Sequence, residues 1–342
     1  MKKYKIAVVG ATGNVGRKMI EVLIERGFPF SQIIPLASAR SHGKEVKIGE
    51  QIVKVQNLAT FDFSGIDIVL SSPGSAVSKE FSPIAASKGA VVIDNTSYFR
   101  MDPEIPLIIP EVNPDAIDSF KKRGIIANPN CSTAQMLVPL KPLHDKFGIK
   151  RIVVSTYQSV SGAGKEGMDE LYNLTKTHFE GRSQLNKPQK FTKDISFNCI
   201  PHIDSFMEDG KTKEEWKMEV ETKKILDPNI EVSATCVRVP VFTCHAESVN
   251  VEFNKPFESI EQIRKILEEA EGVLMQDSPS NNQYATQRDC ARTFPVFVSR
   301  LRLDTSKPNC INMWIVADNV YGKGAALNSV QIAELLIAKK LI

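Results

Sequence analysis

The chain has 342 residues, 42% of them hydrophobic, with 43 basic and 40 acidic residues giving a net charge of +3. That length suits about two domains, and the apolar content supports two packed cores, which excludes a disordered chain. No dense Lys/Arg run marks a nucleic-acid or anionic-membrane surface, no signal-like or membrane-spanning stretch is present, and six scattered cysteines form no disulfide framework, so a cytoplasmic chain with a small-molecule partner is expected, with no nucleic acid and no membrane.

Lys5-Ile6-Ala7-Val8-Val9 is a short apolar run of strand type, followed at once by Gly10-Ala11-Thr12-Gly13-Asn14-Val15-Gly16 and then by Met19, Ile20, Leu23 and Ile24 at helical spacing. Strand, glycine turn and helix come in the order of a dinucleotide-binding βαβ unit, in which glycines let the backbone approach a pyrophosphate and the helix N-terminus meets its charge. The spacing is GxxGxxG rather than GxGxxG, so the motif draws its weight from its setting. A second strand, Ile33-Ile34-Pro35-Leu36-Ala37, runs out into Ser38-Ala39-Arg40-Ser41. A carboxylate there would hold a ribose 2′-hydroxyl, whereas a cation suits a 2′-phosphate. With Arg40 and no acid, NADP is expected over NAD, against the plainer alternative that Arg40 is an uncommitted loop residue.

Ile66-Asp67-Ile68-Val69-Leu70 is a third strand, ending in Ser71-Ser72-Pro73-Gly74-Ser75 at what would be the ligand-binding edge of a parallel sheet. Ala90-Val91-Val92-Ile93 is a fourth, opening into Asp94-Asn95-Thr96-Ser97-Tyr98-Phe99-Arg100, where the arginine fork is a candidate anion clamp. The stretch 124–136 then carries a short apolar strand through Asn128-Pro129-Asn130 into a helix whose first turn holds Cys131. Free N–H groups and the positive end of the helix dipole favour a thiolate there. Cys199, Cys236, Cys244, Cys290 and Cys310 have no comparable setting and read as structural. Cys199-x-x-His202 has half of a zinc spacing and no second pair, so no metal is expected.

Pro139 and Pro142 are expected to kink or cut short the Cys131 helix. Beyond it, a long strand at 151–160 and further runs at 233–239, 247–253, 296–303 and 311–317 predict a mixed or antiparallel sheet. Ser159-Val160-Ser161-Gly162-Ala163-Gly164 closes the first strand; its glycines suit a planar ligand or an ordinary turn equally. Residues 165–180 carry Met168, Leu171, Tyr172, Thr175 and Phe179 at helical spacing, followed by a loose polar stretch through Lys193: an inserted helical subdomain and a place for a subunit contact. Thr212-Lys213-Glu214-Glu215 matches a capping box, which sets Glu214 and Lys217 on one helix face, either aimed at a ligand or joined as a surface ion pair. Arg238 shares a strand face with Ala234 and Cys236, so it should be semi-buried with an anionic partner. His245 falls in the loop before the next strand and is the candidate base for Cys131. Trp314-Ile315-Val316-Ala317-Asp318-Asn319 ends a strand, and Gly324 opens a helix to the C-terminus.

Gly-Ala-Thr-Gly-Asn-Val-Gly at 10–16, Asn95-x-x-x-x-Arg100, Pro129-Asn130-Cys131-Ser132-Thr133, the 158–164 turn, Glu214-Glu215-Trp216-Lys217, Arg238 with His245, and Asp318-Asn319 together resemble the aspartate-semialdehyde dehydrogenase family, in order over essentially the whole chain. The resemblance implies an α/β fold with a Rossmann-like NADP-binding domain at 1–130, joined by the C-terminal helix 324–342. It implies an α+β catalytic and dimerisation domain at 131–323, with a mixed or antiparallel sheet and an inserted helical subdomain, in a homodimer. It further implies NADP-dependent interconversion of L-aspartyl 4-phosphate and L-aspartate 4-semialdehyde with phosphate, in lysine, diaminopimelate, methionine, threonine and isoleucine biosynthesis.

By the same resemblance Cys131 is the nucleophile, His245 its acid/base partner and Gln158 a substrate-orienting group. Arg100, Asn130 and Lys217 form the phosphate site, Arg238 grips the α-carboxylate and Glu214 faces the α-ammonium. Gly10, Thr12, Gly13, Asn14, Val15, Gly16, Ser38, Arg40, Ser41, Ser72, Ser161, Gly162 and Asn319 hold the cofactor. One departure is the run from Asn319 to Gly324-Ala325-Ala326, which is one residue longer than usual. Two rivals remain. Another acyl-phosphate reductase, such as N-acetyl-glutamyl-phosphate reductase or glyceraldehyde-3-phosphate dehydrogenase, gives Glu214 or Arg238 no charge to meet. A non-catalytic NADP-binding sensor leaves Cys131, Lys217, Arg238 and His245 without work.

Overall fold

The computed structural model describes residues 2–181 and 188–342; part of the loose polar stretch expected after the 165–180 helix lies outside the described residues. The chain divides into two compact units, Met1–Asn130 with Ala325–Ile342, and Cys131–Gly324.

The first unit is built on β1 (Tyr4–Val9), β2 (Phe30–Ala37), β3 (Gln56–Asn57), β4 (Ile68–Ser71), β5 (Val91–Asp94) and β6 (Ile125–Ala127), with helices α1 (Asn14–Glu25) and α2 (Ser75–Ser87). All pairings are parallel, in the order β3-β2-β1-β4-β5-β6. This is the order of doubly wound dinucleotide-binding sheets, with the ligand crevice outside the strands' carboxyl ends near β1 and β4. The central strands are apolar without a break because both faces of a parallel sheet are covered; Ile6, Val8, Ile68, Leu70 and Ile93 are completely buried. The C-terminal helix Ala326–Ala338 packs against α1, tied by two 2.7 Å hydrogen bonds from Arg26 to Glu334. A hairpin, Glu45–Ile48 with Gln51–Lys54, follows β2.

The turn from β1 to α1 depends on two glycines. Gly10 has φ +81°, and a Cβ there would stand 2.6 Å from the Ser72 carbonyl oxygen. A Cβ on Gly16 would strike the Gly10 carbonyl, coming within 2.8 Å of its carbon. Three backbone segments therefore meet with no room for a side chain.

The second unit contains α3 (Cys131–Phe147), β7 (Ile149–Gln158), α4 (Gly164–Phe179), α5 (Lys213–Ile225), β8 (Glu231–Arg238), β9 (His245–Phe253), α6 (Ile260–Glu268), β10 (Val273–Met275), β11 (Val296–Leu303) and β12 (Cys310–Ala317). Its sheet runs β8-β7-β9-β12-β11-β10 and is mixed: β8 with β7 and β10 with β11 are parallel, the rest antiparallel. Helix α3 packs on β7, β9, β11 and β12. Of the two effects expected of Pro139 and Pro142, cutting the helix short does not occur. Each proline costs about 3 kcal/mol in a helix interior, while Met136, Leu137, Val138, Leu140, Leu143 and Phe147 are buried and contribute about 1.5–3 kcal/mol each, so burial wins.

Gly16→Ala is expected to destabilise the first unit by about 2–3 kcal/mol, because the obstruction is backbone rather than a movable side chain. Urea unfolding measures this, and an unchanged midpoint would mean that the Gly10 carbonyl can retreat.

Candidate active site

Three strand ends align in one row of the second unit. Register pairs Gln158 of β7 with Arg238 of β8 on one side and with His245 of β9 on the other. Directly paired residues project to the same face, so Arg238, Gln158 and His245 stand side by side, all buried. Above them lies the start of α3, where Gln135 donates Nε2 to the His245 carbonyl at 3.3 Å. Cys131 opens that helix and is partly exposed, whereas Cys236, Cys244, Cys290 and Cys310 are buried and Cys199 lies on the surface. His245, expected in a loop, is the first residue of β9, because pairing to Gln158 and Ala317 on its two sides holds its backbone extended.

The His245 ring is fixed by the turn after β7. The Ser159 backbone N–H donates to Nδ1 at 3.0 Å, which assigns the proton of the neutral ring to Nε2. Nε2 is buried and has no hydrogen-bond partner among the described residues. Complete burial pushes the imidazole down to about 3, and the Arg238 guanidinium acts in the same direction. A neutral ring with a free, aimed N–H is a donor. Gly162 keeps the space beside it open: a Cβ there would sit 3.0 Å from Arg238 Nη1 and 3.1 Å from His245 Nε2. Asn319 braces this corner, its Oδ1 accepting from Ser161 Oγ at 3.0 Å, Ser159 Oγ at 3.3 Å and the Cys244 N–H at 3.0 Å, with Cys244 at φ +68°.

Arg238 donates Nη1 to the Ser159 carbonyl at 2.6 Å. The anionic partner expected from sequence is not supplied: among the described residues no carboxylate lies within ion-pairing distance of it, and burial lowers its affinity for a proton while Glu214 and Cys131, further off, raise it. Thr212 and Glu215 form both halves of the expected capping box. That orients Glu214, which is buried, to accept from Gln158 Nε2 at 3.1 Å and from Lys217 Nζ at 3.0 Å. Lys217 also reaches Asp204 at 2.7 Å. Burial would lower the Lys217 ammonium, but Glu214 and Asp204 overcome it and hold it above its ordinary value. The pair is therefore neither a surface ion pair nor an unshared cation. Asp204 carried no signal in sequence.

In the first unit, α1 begins after Gly13 with no side-chain cap hydrogen bond and no acid in its first turn, which holds Asn14, Val15 and Gly16; a helix terminus of that kind favours a nearby anion. Gly10 N and Ala11 N are held by the Leu36 carbonyl, and Thr12 offers its carbonyl to Arg17. Ser38, Arg40 and Ser41 lie in a short 3-10 turn just past β2, with Arg40 exposed and in no ion pair among the described residues. Ser72, just past β4, donates its N–H to the Val9 carbonyl. Arg100 is buried, and its Nε and Nη2 go to the carbonyls of Asn128 and Asn95, both at 2.9 Å, so it ties two loops together. Asn130 is buried at the end of the first unit.

Residues 5–120 match the domain described as "Semialdehyde dehydrogenase, NAD binding domain", and residues 140–321 match "Semialdehyde dehydrogenase, dimerisation domain". The aspartate-semialdehyde dehydrogenase of Aquifex aeolicus is 53% identical over 342 residues, covering 99% of each chain, and aspartate-semialdehyde dehydrogenase 2 of Vibrio cholerae is 52% identical over 98% of each. Among solved structures, aspartate semialdehyde dehydrogenase II from Vibrio cholerae complexed with ASA superposes with a TM-score of 0.96 at 51% identity over 99% of each chain. The Candida albicans enzyme with NADP gives 0.78 at 29% over 100% of each. The two-unit fold, an aldehyde-acting oxidoreductase chemistry and an NAD(P)-binding domain thus go with one assignment: the chain belongs to the aspartate-semialdehyde dehydrogenase family.

Proposed function

We propose that this chain reduces L-aspartyl 4-phosphate to L-aspartate 4-semialdehyde with NADPH, through a thioester on Cys131, as a cytoplasmic homodimer. The observation that carries the reading is Arg238, a buried guanidinium with no carboxylate at ion-pairing distance among the described residues, on the sheet row beneath the helix that Cys131 opens. A buried cation in that state calls for a ligand's anion, and the α-carboxylate of a free amino acid matches its fork. Glu214 offers the opposite charge to an α-ammonium.

The Cys131 sulfur, already a thiolate at the helix N-terminus, attacks the acyl carbon. His245 Nε2–H meets the oxygen that turns anionic, with the tautomer held by Ser159. Phosphate leaves, for which Arg100, Asn130 and Lys217 are the ligands that the resemblance assigns, and the acyl group stays on sulfur. The nicotinamide, when bound, supplies the hydride that reduces this thioester. His245 then covers the thiohemiacetal oxygen until the carbon–sulfur bond breaks and the aldehyde departs. Gln158, held through Glu214, orients the acyl group. For the cofactor, the crowded glycine turn and uncapped α1 suit a pyrophosphate, and Arg40 suits a 2′-phosphate. Ser161, Gly162 and Asn319 belong to the second unit's turn and are proposed to line the nicotinamide end. A homodimer accords with the match of residues 140–321 to a dimerisation domain.

Phosphate-dependent NADP reduction should proceed with aspartate semialdehyde and not with N-acetyl-glutamate semialdehyde or glyceraldehyde 3-phosphate. Cys131→Ala should lose on the order of 10⁴-fold or more in turnover while still binding NADP; turnover that survives would overturn the thioester. Arg40→Ala should raise the KM for NADP by about tenfold, the equivalent of one charge-assisted hydrogen bond, without changing that for NAD; equal effects on both would return Arg40 to the bulk surface. His245→Ala should lower kcat by about 10²–10³-fold, as loss of an oxyanion donor does. His245→Gln should keep more activity, with the acid limb of the pH profile unchanged. A limb that disappears in His245→Gln would mean the ring works charged.

A further inference from the structure

Glu247 is unaccounted for by this chemistry, yet it lies beneath it. Two residues beyond His245 on β9, it projects to the same face, pairs with Thr156 of β7 and Ile315 of β12, and is completely buried. Among the described residues no cation pairs with it, and neither carboxyl oxygen is in a well-formed hydrogen bond, although Gln135 and Ser132 stand near enough to act on it. The polar side chains acting on it are Gln135 and Ser132, both from the first turns of α3. Gln135 is similarly placed: Nε2 is used by the His245 carbonyl, while buried Oε1 is unmatched. A carboxyl group without a counter-ion in this setting is held protonated, since burial pushes it well above the ordinary carboxylate range. It then carries one O–H, and the unmatched acceptor next to it is Gln135 Oε1.

We propose that Glu247 is a positioning residue: its carboxyl, shut between β9 and the first turns of α3, holds Ser132 and Gln135 from below and so fixes where the Cys131 sulfur stands relative to His245. The chemistry requires a neutral group that both donates and accepts, because an ionised carboxylate would face no cation and an apolar side chain would leave Gln135 Oε1 buried without a donor. Ser132 adjoins Cys131 and Gln135 is one turn further on, so a small change in the pitch of this turn moves the sulfur directly. A displacement of about an ångström at a reacting atom can lower rate by about 10²-fold.

The proposal rests on Cys131 being the nucleophile, and the test separates the two. Glu247→Leu, close in volume but unable to hydrogen-bond, should lower kcat by about 10- to 100-fold with KM for aspartate semialdehyde little changed, and should slow alkylation of Cys131 by iodoacetamide by a similar factor. Glu247→Gln, which keeps a donor and an acceptor, should restore both to within about threefold. Should the Leu variant fail to fold, Gln135→Met carries the same expectation from the other side of the contact. Wild-type kcat and alkylation rate in a folded Glu247→Leu or Gln135→Met variant would overturn the positioning role, as would a Gln variant no better than Leu. A turnover that survives Cys131→Ala would instead overturn the thioester reading.

Discussion

Strand register is the constraint on which the rest depends. Gln158 is the last residue of β7, and Arg238, the last of β8, and His245, the first of β9, are its direct neighbours. Because one strand runs parallel to β7 and the other antiparallel, the end of one and the beginning of the next arrive at the same edge. A slip of one residue in either pairing would turn Arg238 or His245 to the opposite face. The side chains themselves have little to do with setting this geometry; it follows from ten residues of β7 flanked on both sides, with Val154 and Ile152 buried in its middle. The core therefore fixes the site, and the turn from Ser159 to Gly162 refines it by giving Nδ1 of His245 a donor and leaving space over Nε2.

The electrostatics of that face are unusual in having few compensated charges. Arg238 keeps its charge without an ion pair among the described residues, whereas His245 and Glu247 are both driven neutral by burial. A neutral imidazole next to a guanidinium is consistent, since protonating it would set two cations side by side. Paired charges are set one layer out, where Lys217 stands between Glu214 and Asp204. On the proposed reading, substrate brings the compensation: its carboxylate for Arg238, and its developing oxyanion for the His245 N–H. A site that waits for charge in this way discriminates strongly against ligands lacking it, because an unfilled buried cation is costly.

Local features were legible in the sequence. The glycine turn between β1 and α1, the Thr212–Glu215 capping box and the helix that begins at Cys131 each depend on a few adjacent residues, and the structure has all three. Features that depend on distant packing were not. Cutting the helix short at Pro139 or Pro142 was a reading open to the sequence because local propensity carries no information about the apolar side chains buried around them. His245 read as a loop residue because its pairing partners lie some 70 to 90 residues away in sequence. The expected anion for Arg238 was inferred from burial, correctly as to burial, but sequence could not tell whether the chain itself would place a carboxylate beside it. Glu247 did carry a signal: a carboxylate two residues from His245, at strand period, on the strand face that Val249, Val251 and Phe253 continue.

Burying His245 and Glu247 neutral on one strand face has opposite consequences with pH. His245 is held at about 3 against an ordinary value of 6.5, so the unfolded chain binds the extra proton, and the stability this ring leaves intact above 6.5 is lost as pH falls toward 3. Glu247 is raised from an ordinary value of 4.5, so its contribution is fully present below 4.5 and is lost as pH rises toward its folded value. Between 4.5 and 6.5 both groups oppose folding of the second unit, and near neutral pH only Glu247 does. Replacing it by an apolar residue would relieve that burden, so the carboxyl is a destabilising feature at the pH where the enzyme is expected to work. Its presence beneath the nucleophile's helix is therefore explained better by geometry at Cys131 than by stability of the fold.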